Sequence, residues 1–217
     1  MSCRGYRACL KAYLMRLRSL IVALALFGFA VAPCLAQDSY QKEADGLAVL
    51  LNWQPGSLVG EIGAGEGQIT VAAATRAGAA GRVYTTELDT KKLARLQELA
   101  RAQKNIIAIK AAEDETNLPH ECCDSIFMRL VYHHLTKPAE IDASLFRSLK
   151  PGGLLAVIDQ EPPPGSAKVN GVPENRGGHG MPEKILIEEL TSAGFQVVKV
   201  HNWPDNDYCV IFRKPGS

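Results

Sequence analysis

Between Leu58 and Asp159, short apolar runs alternate with amphipathic stretches of helical period. Leu58–Ile62, Arg82–Glu87, Ile106–Ile109 and Ser125–Leu130 read as strands, and a fifth opens at Pro151-Gly152-Gly153 and reaches Asp159. Helical patterns fill Gln68–Ala77, Thr90–Gln103 and Pro138–Leu149, and a polar loop spans Ala111–His120. Near-continuous apolar strands are buried on both faces, and strands separated by helix-length crossovers pair in parallel. The pattern predicts an α/β domain with a doubly wound, mostly parallel sheet and helices on both faces.

The flanks complete the layout. An amphipathic stretch, Tyr40–Leu51, precedes the first strand. After Asp159, Gln160–Gly180 gathers proline and glycine without any period, so it is a long loop of the kind that forms lids or stays unstructured. A helix over Pro182–Ala193 closes at Gly194, and strands Phe195–Val200 and Tyr208–Arg213 flank a Trp-Pro-Asp-Asn-Asp turn. That turn is too short for a helical crossover, so the last two strands pair antiparallel.

The 217 residues carry a formal charge of +1 and are 47% hydrophobic. This is enough for one well-buried domain, and the lack of basic excess argues against a nucleic-acid partner. Residues 1–36 read as a signal peptide: Arg16 and Arg18 precede an apolar Leu20–Ala32, and Cys34-Leu35-Ala36 ends in a small residue suited to cleavage. Met15 stands directly before that basic region and is an alternative start. The apolar run is shorter than the roughly 20 residues that span a bilayer, so no stable membrane span is expected once the leader is removed. The domain, residues 37–217, is expected to be exported to a periplasmic or secreted location. It keeps only Cys122, Cys123 and Cys209, which make no disulfide framework and read as buried structural cysteines.

The chemistry concentrates in Glu61-Ile62-Gly63-Ala64-Gly65-Glu66-Gly67, between the first strand and its helix. Glycines let backbone approach a ligand, and the helix start offers free N–H groups. A carboxylate at the mouth of such a turn repels pyrophosphate, and G-x-G-x-G differs from the dinucleotide G-x-G-x-x-G. A ligand with a cationic amino-acid part and an uncharged ribose suits both features.

With Glu87 closing the second strand, Asp124 opening the fourth and Leu149-Lys150-Pro151-Gly152-Gly153 before the fifth, the chain resembles the class I S-adenosylmethionine-dependent methyltransferases from about Tyr40 to Arg213. FMRLVYHHL, Phe127–Leu135, resembles their small-molecule branch. The resemblance implies a Rossmann-like seven-stranded sheet with an antiparallel last strand, and S-adenosyl-L-methionine as cofactor. It places Glu61 near the methionine amino group, Gly63 and Gly65 along the cofactor, Glu87 on the ribose hydroxyls, and Glu113, with Asp114 second, near the adenine. Arg129 at a strand end is expected to anchor a cofactor or substrate carboxylate or to pair with a loop acid.

Ligands of such sheets bind beyond the carboxyl ends of the strands, which brings Tyr132, His133, His134, Asp159 and His179 into play. His134 and His179 are the candidates for a general base, with a bracing role as the alternative for the His-His pair. A metal set from His133, His134, Asp159 and His179 is not expected, because adjacent side chains diverge on a strand or helix. The functional expectation is methyl transfer to a small-molecule acceptor. Because the cofactor is made in the cytosol, export requires that the donor reach the enzyme's compartment, that the leader be misread, or that the fold serve another use. The alternatives are a non-catalytic nucleoside-binding protein and a transferase using a decarboxylated cofactor, the latter needing substrate-binding acids that the sequence does not offer.

Overall fold

The computed structural model describes residues 39–216, and the expected leader, with Met15, Cys3, Cys9 and Cys34, lies outside the described residues. Helix α1 covers residues 39–50 and buries Ala44 and Leu47, three positions apart on one face. The chain then alternates through β1 (Leu58–Ile62), α2 (Gln68–Ala77), β2 (Arg82–Glu87), α3 (Thr90–Ala102), β3 (Ile106–Lys110) and β4 (Cys123–Arg129). It continues with α4 (Pro138–Ser148), β5 (Leu149–Asp159), α5 (Glu183–Ser192), β6 (Gln196–Asn202) and β7 (Tyr208–Arg213). From Glu43 onward the described chain is one compact unit.

The seven strands order as β3-β2-β1-β4-β5-β7-β6, and β7 runs antiparallel to both its neighbours. This is the expected Rossmann-like sheet. Two strand starts move: β4 begins at Cys123 rather than Ser125, and β5 at Leu149 rather than Pro151. The register between them shifts after Cys123 pairs with Leu149, which lets Pro151-Gly152-Gly153 join the strand as an irregularity. At the same edge the Asp124 carboxylate accepts from Leu58 N–H (2.8 Å) and pairs with Lys150 (2.6 Å). Asp124 therefore ties β1, β4 and β5 together and lies at the strands' N-terminal ends.

The core is the sheet's own apolar content: Val59, Ile126, Phe127, Met128, Leu155 and Val157 are fully buried. Each such side chain contributes about 1.5–3 kcal/mol by leaving water, which is why the central strands carry no polar alternation. Helix α3 starts at an Asp89 cap that accepts from Lys91 and Lys92 N–H, and its Leu93 and Leu96 face the sheet. The Cys122 and Cys123 sulfurs lie 2.6 Å apart in the core, and Cys209 is buried on β7; all three are free thiols. Tyr208 is buried, and its hydroxyl donates to the Met181 carbonyl. Among the described residues no helix is long and apolar enough to cross a membrane.

Candidate active site

Strand order reverses at β1, whose neighbours β2 and β4 lead to opposite halves of the sheet. A crevice opens at such a switch point beyond the carboxyl ends of the strands. There the chain ends β1 at Ile62, β2 at Glu87, β4 at Arg129 and β5 at Asp159. The residues singled out from sequence are thus carried to one edge by the topology.

The turn after β1 holds Gly63, Gly65 and Gly67 at φ of 67°, 58° and 80°, the left-handed region that glycine adopts without penalty. A Cβ on Gly63 would lie 2.6 Å from Val131 Cγ2, so the turn also packs directly against the residues leading to the His-His pair. Helix α2 then begins with no side-chain cap. Glu87 braces the turn from the next strand. One carboxylate oxygen accepts from Gly65 N–H (3.0 Å), and the other accepts from Leu88 (2.8 Å) and Asp89 N–H (2.9 Å).

Glu61 departs from expectation. Its carboxyl group does not sit at the mouth of the turn: the residue is 4% exposed, and its oxygen accepts from the Thr70 hydroxyl of α2 and, at 3.4 Å, from Thr85 of β2. Strand alternation accounts for this, since Glu61 shares a sheet face with its register partner Thr85, beneath the start of α2. Burial pushes its pKa up from 4.5 to about 8, opposed by the two hydroxyls and reinforced by Glu87. A folded chain that keeps this proton after the unfolded chain has lost it becomes less stable as pH rises through that window. Urea unfolding across pH 4.5 to 8 should therefore show wild-type stability falling, and Glu61→Gln, which stays neutral, should flatten the decline. Parallel curves for the two proteins would reject the buried-acid assignment.

A cavity of about 410 Å³ lies above this turn, within the roughly 300–1,000 Å³ range of ligand pockets. Its lining includes Gly63, Thr86, Glu87, Glu113, Arg129 and His134. Glu113 faces the cavity, whereas Asp114 turns away to pair with Lys137 at 2.9 Å. Arg129 pairs with Glu43, an acid of helix α1 rather than of a loop, and also lines the cavity. Thr86 Oγ1 is buried without a hydrogen-bond partner among the described residues and lies on the cavity wall. A buried hydroxyl left unsatisfied costs about 1–3 kcal/mol, which a polar ligand would recover. Thr86 and Lys92, which also lines the cavity, were not singled out from sequence. Thr86 looks like an ordinary β-branched strand residue, and Lys92 like an ordinary helix-surface charge.

The histidines also depart from expectation. Leu130 leaves β4 at φ 53°, a conformation costly for a non-glycine residue, and the chain enters a single 3-10 turn, Tyr132–His134. That turn places the His133 and His134 rings 4.0 Å apart, and His179 from the long loop comes within 5.8 Å of His134 and 6.4 Å of His133. Adjacent side chains diverge on a strand or a long helix, but a tight turn ending a strand is neither. His133 is buried, with Nδ1 2.8 Å from an oxygen of the fully buried Asp159, whose other oxygen accepts from His133 N–H. His134 and His179 are exposed. Partial burial, and the neighbouring imidazoles, lower the pKa of His134 and favour its neutral form.

The loop that delivers His179 is anchored by Arg176, another residue not singled out from sequence. Its guanidinium meets Glu189 of α5 through two bonds, 2.7 and 3.2 Å, and lies 5.6 Å from the centre of the Tyr132 ring. Tyr132 in turn donates to Asp142 of α4 (2.8 Å) and Glu189 (3.1 Å). The loop is thereby fastened beneath the residues that carry the His-His pair.

Known proteins share this fold. A family model described as a methyltransferase domain matches residues 60–157. Among solved structures, a SAM-dependent methyltransferase from Aquifex aeolicus aligns at 22% identity and TM-score 0.68, covering 79% of this chain and 89% of that one. An S-adenosylmethionine-dependent methyltransferase from Mesorhizobium loti aligns at 20% identity and TM-score 0.61, covering 78% and 96%. A possible exported protein from Bordetella parapertussis aligns at 16% identity and TM-score 0.62, covering 83% and 67%. No curated protein matches the sequence. Residues 60–157 thus match a methyltransferase domain, and the sheet has the fold of the S-adenosylmethionine-dependent methyltransferases. S-adenosyl-L-methionine is the cofactor that this domain match and this fold imply. The open turn, the acceptor-only Glu87 and the orphaned Thr86 hydroxyl fit that group.

Proposed function

We propose that this enzyme methylates a small-molecule acceptor, with Gly63, Gly65, Glu87 and Glu113 holding the cofactor and His134 and His179 at the acceptor end. One observation carries this reading: Glu87, Glu113 and His134 line a single cavity. S-adenosyl-L-methionine supplies an electrophilic methyl group when bound, so the protein's tasks are positioning and, for a weakly acidic acceptor, removal of a proton. Glu87 can accept from ribose hydroxyls with the lone pairs its three backbone bonds leave free. Glu113 is the acid on the adenine side. His134, neutral and on the cavity wall, is placed to take an acceptor proton.

Calorimetry with S-adenosylmethionine and S-adenosylhomocysteine, followed by turnover across a panel of phenols, thiols and amines, tests the reading. Binding of both nucleosides and methylation of a panel member are expected. His134→Gln should slow turnover while leaving cofactor affinity near wild type, and undiminished turnover would remove His134 from the base role.

The leader supports action outside the cytosol, and the Bordetella parapertussis neighbour, a possible exported protein, bears on the same point. Fractionation of the native host, with mass spectrometry of the mature N-terminus, should find a peptide beginning near Gln37. A cytosolic chain beginning at Met1 or Met15 would overturn this part of the proposal.

A further inference from the structure

Three imidazoles meet where the 3-10 turn faces the long loop, and one ring nitrogen from each of His133, His134 and His179 lies within 4.8 Å of the other two. We propose that these three histidines bind a divalent first-row transition metal of the Zn²⁺ class, with Asp159 as the positioning residue behind His133. Imidazole is a ligand of choice for Zn²⁺, Ni²⁺ and Cu²⁺, and three protein ligands with an open fourth position is the arrangement of reactive rather than structural zinc sites.

The surroundings are built for this. Asp159 holds His133 Nδ1 at 2.8 Å and is itself fixed by His133 N–H and Gln160 N–H, so the carboxylate cannot swing away. With Nδ1 engaged, Nε2 is the nitrogen left to bind, and a carboxylate behind a ligating imidazole is the usual outer-shell partner of a metal histidine. His179 is held by its backbone rather than by its ring. Its carbonyl accepts from Gln160 Nε2 at 3.0 Å, and it stands between two glycines with no room for a side chain. A Cβ on Gly178 would lie 2.5 Å from Ser166 Cβ, and one on Gly180 2.7 Å from Pro162 backbone.

The geometry needs one adjustment. Three atoms at that outer bound of 4.8 Å would leave an ion about 2.8 Å from each, against about 2.0–2.1 Å for a zinc–nitrogen bond. His133 is locked, but His134 and His179 are exposed rings that can close the difference by rotation. His134 also lines the ligand cavity, so the open coordination position borders that cavity; a ring nitrogen that holds the ion cannot also take an acceptor proton, so metal binding and the base role of His134 exclude one another.

The full chain, stripped with a chelator, can be titrated with Zn²⁺ by calorimetry and with Co²⁺ by its visible d–d absorption. A single equivalent is expected, with the intensity of a four-coordinate site. Asp159→Asn should weaken binding by about 10–100-fold through loss of the outer-shell partner. His179→Gln, at an exposed ring, should weaken it further with an unchanged melting curve, while His201→Gln, on the exposed β6, should bind as wild type. His134→Gln provides a second ligand deletion should His179→Gln fail to fold. Binding of less than one equivalent by wild type, or wild-type affinity in a folded ligand variant, would overturn the proposal. The readout is metal bound, so the result holds whatever the methyl acceptor is.

Discussion

Arg176→Ala should lower the unfolding free energy by about 3 kcal/mol. Removing one partner of a buried ion pair typically costs about 3–5 kcal/mol, and the lower end applies because Glu189 retains 21% exposure while the Arg176 side chain has none. In a domain of this size that is a fall of roughly 6–12 °C in melting temperature. Arg176→Lys should rescue little, since a point charge cannot reproduce the two-bond contact to Glu189. The loss should also depend on pH. Burial raises the Asp142 pKa from 3.8 to about 7, with Glu189 raising it and Tyr132 and Arg176 opposing. An acid whose folded pKa is raised contributes stability at low pH that is lost as pH rises through that value. Without Arg176 the two carboxylates face each other uncompensated, so the deficit should be deeper at pH 8 than at pH 5.5. Denaturant unfolding at both pH values decides this, and a pH-independent loss below about 1 kcal/mol would show that the loop is not fastened through Arg176.

Glu87→Ala should weaken S-adenosylmethionine binding by roughly 10- to 150-fold, read by calorimetry. Hydrogen bonds to a charged group contribute about 1.5–3 kcal/mol, and the substitution strands ribose donors that bulk water would otherwise satisfy. The same carboxylate accepts from Gly65 N–H, so its loss also frees the glycine turn it braces. Glu87→Gln separates the effects. Its amide keeps the shape but presents N–H where backbone donors and ribose hydroxyls need acceptors, so it should bind little better than Ala. If Glu87→Gln bound the cofactor as tightly as wild type, Glu87 would not be the ribose acceptor.

Much of the architecture was legible before any coordinates. Periodicity separated five strands from three helices, and the short Trp203–Asp207 turn required the antiparallel closing pair that the sheet shows. The glycine turn was legible because positive φ and close approach to Val131 leave glycine little competition. Glu61 was misplaced: sequence shows that an acid precedes the turn, but not which face of β1 it shares with Thr85. Arg176 was invisible in a loop without period, because its partner Glu189 is 13 residues away and belongs to a different element. The histidines are placed at one sheet edge by the sequence, but their close approach is not. Adjacent residues diverge only while regular structure continues, and Leu130 ends it.

What the sequence by itself determined is therefore what depends on local order: the alternation of elements, the crossover lengths that force parallel pairing, and the turn only glycines can make. The tertiary structure decided what depends on distant parts of the chain meeting. Glu61 is a buried acid because α2 closes over it, Arg176 is an anchor because α5 presents Glu189, and three histidines converge because a loop closes over the end of β4. Solvation and charge pairing are set by whatever surrounds a side chain after packing, and no window along the chain contains those neighbours.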